Sequence, residues 1–328
     1  MVDVFGTLGP SCMGEEILYD MFSLGMTGIR INLSHVMLKG CEDSIKAIKR
    51  AADRAGISPK ILIDMQGPEL RIGNLDVPFE LNEEDEFILG AAGIDVDQCI
   101  LQAMSLGDEV LLDDGKIMAV VIETGDSSAK LRVIRGGQLS GRKSIAIVCK
   151  TVDMPALTDS DMENIKIAAD YNITGVMQPF VRSAEDLKAV REALNNFGGQ
   201  NIKIYAKIEN TAGVENLESF FEYANEIVIA RGDLGNAVPL WELPGIQKDI
   251  SSRCNYHHIP FMVVTQMLAS MEHSKIPTRA EVSDIYNAVC DGASSVMVTG
   301  ETAIGDYPVE VIRYLVNTAK AACGGDKN

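Results

Sequence analysis

The sequence predicts an α/β protein: a closed (βα)8 barrel of the TIM type with a small all-β domain inserted after the third strand. Apolar runs of strand length that break abruptly into polar residues recur eight times, with helical patterns between them. Strand, helix, strand repeated in this way is the pattern of parallel pairs joined by right-handed crossovers, and eight such units suit a closed barrel. Periodicity alone leaves an open doubly wound sheet as the alternative. A chain of 328 residues fits one barrel with something small added. A hydrophobic fraction of 46% with only 5% aromatics suits a core of Ile, Val, Leu, Met and Ala, as sheets covered on both faces require.

The eight runs follow in order. Val2 to Phe5 leads into Thr7, Ile29 to Leu33 carries Arg30, Asn32 and Ser34, and Ile61 to Ile63 ends on Asp64 and Gln66. After an interruption come Gly175 to Met177 before Gln178, Ile204 to Ile208, Ile227 to Ala230, Phe261 to Val264 before Thr265 and Gln266, and Val296 to Val298 before Thr299 and Glu301. Ile45, Ile48, Ala52 and Ala55 predict a helix after the second run, and Val309, Ile312, Leu315 and Val316 one after the last. Leu217, Phe220, Phe221 and Ala224 predict the crossover helix between the fifth and sixth. The interruption, roughly Ile72 to Val152, alternates in short pieces such as Glu109 to Leu112, Met118 to Ile122 and Lys130 to Ile134. Turn signals at Asp114-Gly115, Gly125-Asp126 and Gly136-Gly137 separate them, as in a small antiparallel β domain. The expected division is therefore 1–71 with 153–328 for the barrel and 72–152 for a lid over its mouth.

A formal net charge of -18 argues against binding nucleic acid or an anionic membrane surface. An anionic substrate then needs a local cation or a metal. No apolar run reaches the length of a membrane span. Seven scattered cysteines, without metal-like spacing, predict reduced thiols and a cytoplasmic protein. Two stretches are decoys: Gly136 to Ser144 lacks the Gly-Lys-Ser/Thr order of a Walker loop, and His257-His258 has no acidic partner at ligand spacing.

The chemistry concentrates between Lys203 and Gly235. One apolar run there ends on Lys207 and Glu209, the next on Arg231 and Asp233, so two carboxylates and a lysine meet at one rim of one sheet. Alone, Lys207 with Glu209 is an ordinary strand-end ion pair, Arg71 a surface arginine, and Asn32 with Ser34 a turn.

In company these stretches resemble pyruvate kinases. The similar segments are TLGPSC from Thr7, GMTGIRINLSH from Gly25, DMQGPELR from Asp64, GDEVLLDDGKI from Gly107, AKIEN from Ala206, ARGDLG from Ala230, and TQMLASM through PTRAEVSDIYNAVCDGA to GETAIGDYP between Thr265 and Pro308. They run in the family's order over almost the whole chain. The resemblance implies a barrel with an inserted β domain and phosphoryl transfer from phosphoenolpyruvate to ADP, giving pyruvate and ATP. It implies Glu209 and Asp233 as ligands of Mg2+ (or Mn2+). Lys207 would be the cation beside the transferring phosphoryl group, with Arg30 holding the phosphate from the opposite side of the mouth. Gly232, Asp233 and Thr265 would bind the carboxylate end, with Thr265 near the proton transfer. Asn32, Ser34, Asp64 and the main-chain carbonyl of Met65 would hold K+, a reading that Glu69 supports. Nucleotide contacts would come from Asn32, Leu33, Ser34, His35, Arg71 and Lys143.

Departures from the family pattern fall at Gln178-Pro179-Phe180, where Ala-Ser-Phe is usual, at Ala237 in place of an acidic residue, and at Lys143-Ser-Ile-Ala in place of Lys-Gly-Val-Asn. The expected C-terminal domain does not follow the barrel, which implies loss of its effector site and a homodimer through barrel helices. Two competing functions remain: a Mg2+-dependent lyase or decarboxylase working through a pyruvate enolate, and a non-catalytic regulatory relative.

Overall fold

The computed structural model describes residues 2–34, 36–148, 150, 152 and 154–324. Its first three strands are β1 (Asp3–Thr7), β2 (Gly28–Asn32) and β3 (Lys60–Asp64). Seven further strands follow: β4 (Phe79–Leu81), β5 (Glu86–Gly90), β6 (Glu109–Leu112), β7 (Ile117–Thr124), β8 (Ser128–Arg135), β9 (Gly137–Leu139) and β10 (Ile145–Ile147). The alternation with helices then resumes through β11 (Gly175–Gln178), β12 (Lys203–Ile208), β13 (Glu226–Ala230), β14 (Phe261–Val264) and β15 (Ser295–Met297). Eight of these close a parallel barrel in the order β1-β15-β14-β13-β12-β11-β3-β2. The closed form, not the open sheet, is the one adopted.

The barrel is filled by side chains. Phe5, Leu62, Met177, Tyr205, Val228, Met262 and Met297 form a buried cluster of their own inside it. Two strand glycines make the room: a Cβ at Gly28 would run into the Phe5 ring, and one at Gly175 into the Tyr205 ring. Outside, the helix Glu42–Ala55 buries Ile45, Ile48 and Ala52, and Pro308–Ala322 buries Ile312, Leu315 and Val316, on the faces their spacing predicts.

The crossover between β12 and β13 differs from expectation. It is a five-residue helix, Thr211–Glu215, followed by a single 3-10 turn, Leu217–Phe220. Asn216 leaves helical geometry at φ -92°, ψ 11°, and its carbonyl accepts the Ser219 hydroxyl, so the turn restarts there. Leu217, Phe220 and Ala224 still face the core.

Between β3 and β11, five strands pair antiparallel in the order β10-β6-β7-β8-β5, and β4 pairs with β9. Their inward residues, among them Ile117, Ala119, Val121, Leu131 and Val133, form a core separate from the barrel's. The Walker-like stretch supplies β9 and leads into β10, with no helix after it. His257 and His258 are exposed at the end of the helix Leu243–Tyr256.

Asp161, fully buried, ties the chain leaving β3 to the helix Asp159–Ala168. Its carboxylate accepts the Gln66 and Gly67 N–H groups at 2.8 and 3.0 Å and closes a capping box with Thr158. Asp161→Ala strands those donors, and the loss of two charge-assisted bonds is expected to cost about 3 kcal/mol or more by urea denaturation. A cost below about 1 kcal/mol would mean that the carboxylate acts only as a helix cap.

At the other end of the barrel, Glu226 on β13 accepts the hydroxyls of Ser294, at 2.9 Å, and Ser295. Burial raises its pKa above the ordinary glutamate value, with the two hydroxyls opposing. The folded state therefore keeps this proton to higher pH than the unfolded chain, and the stability it contributes falls as pH rises through that interval. Glu226→Gln keeps the shape and the acceptor, so its melting temperature is expected to exceed the parent's by a margin that widens from pH 4 to pH 7. A constant offset across that range would contradict this.

Candidate active site

Strand ends at the C-terminal face of the barrel bring a row of alternating charges together. Arg30 on β2 donates to Asp64 on β3, Nε at 2.8 Å and Nη2 at 2.7 Å. Lys207 on β12 reaches the same carboxylate at 3.2 Å and Glu209 at 3.0 Å. Arg30 and Lys207 therefore do not face each other from opposite sides of the mouth. They lie on strands three steps apart in the barrel order and share Asp64.

The spacing Lys207-Ile208-Glu209 puts both charged side chains on one side of the strand while Ile208 enters the core. Glu209 Oε2 also accepts the backbone N–H of Phe180 at 2.8 Å, from the loop after β11. Asp233 lies just past β13, in the first turn of the helix Arg231–Ala237. Gly232 N–H donates to Thr265 Oγ1 at 2.8 Å, which draws the β13 and β14 ends together.

Burial and neighbouring charge set the protonation states. Burial pushes Glu209 up to about 7, opposed by Lys207 and reinforced by Asp233 and Asp64. Asp233 is raised as well, by burial and by the carboxylates of Glu69, Asp114 and Asp64 against the pull of Lys207. For Lys207, burial alone would lower the pKa, but Asp64 and Glu209 outweigh it and hold the ammonium above the ordinary lysine value. Asp64 is buried too, yet Lys207 and Arg30 hold it below the usual carboxylate range. Two of the three acids are thus short of positive charge and one is satisfied. Glu209 and Asp233 are the less compensated acids of the row.

The mouth opens into a cavity of about 1060 Å³ lined by Thr7, Pro10, Arg30, Asn32, Asp233 and Thr265 among others. A second space of about 130 Å³ lies between the inserted sheet and the rim, where Leu111, Ile145 and Ile147 face Phe180, Glu209 and Asp233. Asp114 and Glu69 border both.

Not every expected residue reaches these spaces. Lys143 is ion-paired with Asp113 of its own module at 2.7 Å, and Arg71 donates to the Arg142 carbonyl at 2.7 Å and pairs with Glu69 at 2.7 Å. Neither borders the two cavities. Leu33 is buried, Ser34 N–H donates to Asn32 Oδ1 at 3.1 Å, and His35 lies outside the described residues. Asn32 is paired in register with Asp64 across β2 and β3, and Met65 follows directly. No group of three His, Cys, Asp or Glu side chains set to hold a metal is present among the described residues.

Three contributors, though named in the sequence, were given no role in the site from it. The Phe180 N–H is presented by a left-handed backbone at φ 53°, which no side-chain pattern announces. Arg231 grips Asp284 at 2.7 and 2.8 Å and donates to the Thr265 carbonyl at 2.6 Å. It thereby braces a β-branched residue held at φ 75°, a strained conformation found where a site demands it. Asp114, in a left-handed turn with Oδ1 accepting the Ser144 hydroxyl at 2.7 Å, adds negative charge that raises Asp233 and Glu69.

A family model described as pyruvate kinase, barrel domain, matches residues 1–312. The chain belongs to the pyruvate kinase family. It is 36% identical over 325 residues to the pyruvate kinase of Aeropyrum pernix, covering 98% of this chain and 70% of that protein. It is equally identical over 325 residues to that of Thermotoga maritima, covering 96% and 70%. The Clostridium perfringens pyruvate kinase is 34% identical over 330 residues, with 96% and 69% covered. Membership supports a phosphotransferase, and a pyruvate kinase barrel accounts for the eight parallel strands with an antiparallel module between the third and fourth. Among the described residues no helix is long and apolar enough to cross a membrane.

Proposed function

We propose that this chain catalyses phosphoryl transfer from phosphoenolpyruvate to ADP, the glycolytic step that yields pyruvate and ATP, in the cytoplasm. The observation that carries the reading is the placement of Lys207 between Asp64 and the buried Glu209, with the half-buried Asp233 close by and both Glu209 and Asp233 raised in pKa.

Glu209 and Asp233 fit Mg2+ (or Mn2+), a hard ion that takes a few carboxylates and leaves positions for substrate oxygens. When bound, such an ion neutralises charge on those oxygens. Lys207 remains an ammonium throughout and sets a fixed positive charge against the phosphoryl group and the enolate left behind. Because the charge is oriented before reaction, the transition state gains it without reorganisation. Arg30 offers the phosphate a planar donor fork. The Gly232 N–H, now held by Thr265, becomes a donor for the substrate carboxylate once that hydroxyl turns away. Thr265 Oγ1 then lies beside the carbon that receives a proton when enolate becomes pyruvate.

Asn32, Ser34, Asp64 and the Met65 carbonyl form an all-oxygen set suited to K+. Glu69, a carboxylate where a lysine would supply its own charge, fits a requirement for that ion. Nucleotide binding is assigned to Asn32, Leu33, Ser34, His35 and Arg71, with Lys143 released from Asp113. Residues 72–152 are read as a lid whose Asp114 turn closes over the site. A homodimer through barrel helices is the assembly expected; Leu240 and Trp241, exposed at 69% and 83%, lie in the turn before the helix Leu243–Tyr256 and not on a helix face.

Pyruvate release from phosphoenolpyruvate tests the reading. Turnover strictly dependent on ADP and a divalent ion supports it. Turnover of oxaloacetate alone would assign a lyase, and none with either a binding protein. Rates are expected to fall at least about tenfold when Na+ replaces K+, as loss of a fitted cation implies. Equal rates in the two salts would remove the second cation from the reading.

A further inference from the structure

The triplet Gln178-Pro179-Phe180 closes β11 and leads to Arg182, and its side chains grip the chain on both sides of the inserted module. β10 ends at Ile147 and the helix Asp159–Ala168 begins at Asp159. Along the connection between them, alternate carbonyls are taken up by the β11 end. Arg182 donates to Val152, at 3.0 Å, and to Met154, and Gln178 Nε2 donates to Ala156 at 2.7 Å. Arg182 is itself fixed by Asp186, Nε at 3.1 Å and Nη2 at 2.9 Å. On the outgoing side Pro179 packs so tightly on Gly67 that a Cβ there would meet its ring, while Asp161 holds the Gly67 N–H.

Gln178 is 1% exposed, and its Oε1 has no hydrogen-bond partner among the described residues. Turning the amide over would set that oxygen against the Ala156 carbonyl, so the donor to Ala156 is what the buried amide provides. Leaving a polar atom unpaired costs stability, and the contact with Ala156 is the return. The same short loop presents the Phe180 N–H to Glu209 at 2.8 Å. Both connections to the module and one carboxylate of the cation site therefore hang on five consecutive residues.

We propose that Gln178 and Arg182 are positioning residues that fix the inserted module over the barrel mouth and couple its placement to Glu209. They do this through the Phe180 main chain, without touching substrate. The inference rests on the reading of Glu209 as a divalent-ion ligand, but not on any particular reaction. Loosening the clasp lets the Phe180 N–H drift from Glu209, and loss of such an outer partner lowers metal affinity about tenfold or more.

The test uses the full chain with Gln178→Leu, which keeps size and removes the donor, and Arg182→Lys, which keeps charge and shortens reach. Hydrogen exchange by mass spectrometry and Mn2+ binding by electron paramagnetic resonance are read on each. Expected are faster exchange confined to segments 66–72, 144–148 and 154–158, and a Mn2+ dissociation constant raised about tenfold, with circular dichroism unchanged. Uniformly faster exchange with unaltered Mn2+ affinity would show mere structural support and overturn the proposal, as would unchanged exchange. If the parent binds Mn2+ but lacks kinase turnover, the function reading fails while the coupling stands. If the parent binds no Mn2+, both fail.

Discussion

Lys207→Met is expected to lower turnover of phosphoenolpyruvate with ADP by about 10³-fold, the scale on which a preorganised charge at the reacting group is worth losing. Methionine fills the same volume, so the barrel keeps its packing. Asp64 retains both bonds to Arg30 and Glu209 retains the Phe180 N–H, which leaves each carboxylate one partner. The Michaelis constant for phosphoenolpyruvate should move much less than kcat, because Arg30 still meets the phosphate and the lost charge acts chiefly on what develops during transfer. Steady-state kinetics at saturating ADP separate the two. A kcat within about fivefold of the parent would remove Lys207 from the chemistry.

Glu209→Gln is expected to weaken Mg2+ binding by about 10²-fold or more. One of two carboxylates facing a divalent ion is lost, at a depth where a unit charge a few ångströms away is worth on the order of 4 kcal/mol. The amide oxygen can still accept from Phe180, so the loop is undisturbed. The pH profile distinguishes this from general damage. In the parent, Glu209 titrates near 7 and must be deprotonated to hold the ion, so apparent Mg2+ affinity rises with pH until about 7 and then levels. Isothermal titration should find that rise shallower in the variant, leaving only the part that comes from Asp233. Identical profiles for the two proteins would mean that the ion is held elsewhere.

Much of the barrel was legible because each strand is a short apolar run that stops at a polar or charged residue, and burial on both faces writes that pattern directly into the sequence. The site residues on strand ends, Arg30, Asp64, Lys207 and Glu209, were legible for the same reason: each is a charge standing directly beside a buried apolar residue of such a run. What could not be read depends on backbone shape and on partners far along the chain. Phe180 acts through its N–H in a left-handed turn, Thr265 at φ 75° is braced by Arg231, and Lys143 is occupied by Asp113. The crossover at Leu217 kept its buried face but lost its helical length, because Asn216 offered the chain a turn where apolar spacing alone suggested continuity.

The claim on which the rest depends is a divalent ion shared by Glu209 and Asp233 beside the Lys207 ammonium. Crystals grown with Mn2+ and oxalate, a stand-in for the pyruvate enolate, test it in one anomalous difference map. A single strong peak bonded to oxygens of Glu209, Asp233 and oxalate, with Lys207 Nζ directed at the ligand, is the predicted result. A peak away from those carboxylates, or Lys207 turned from the ligand toward solvent, would contradict it.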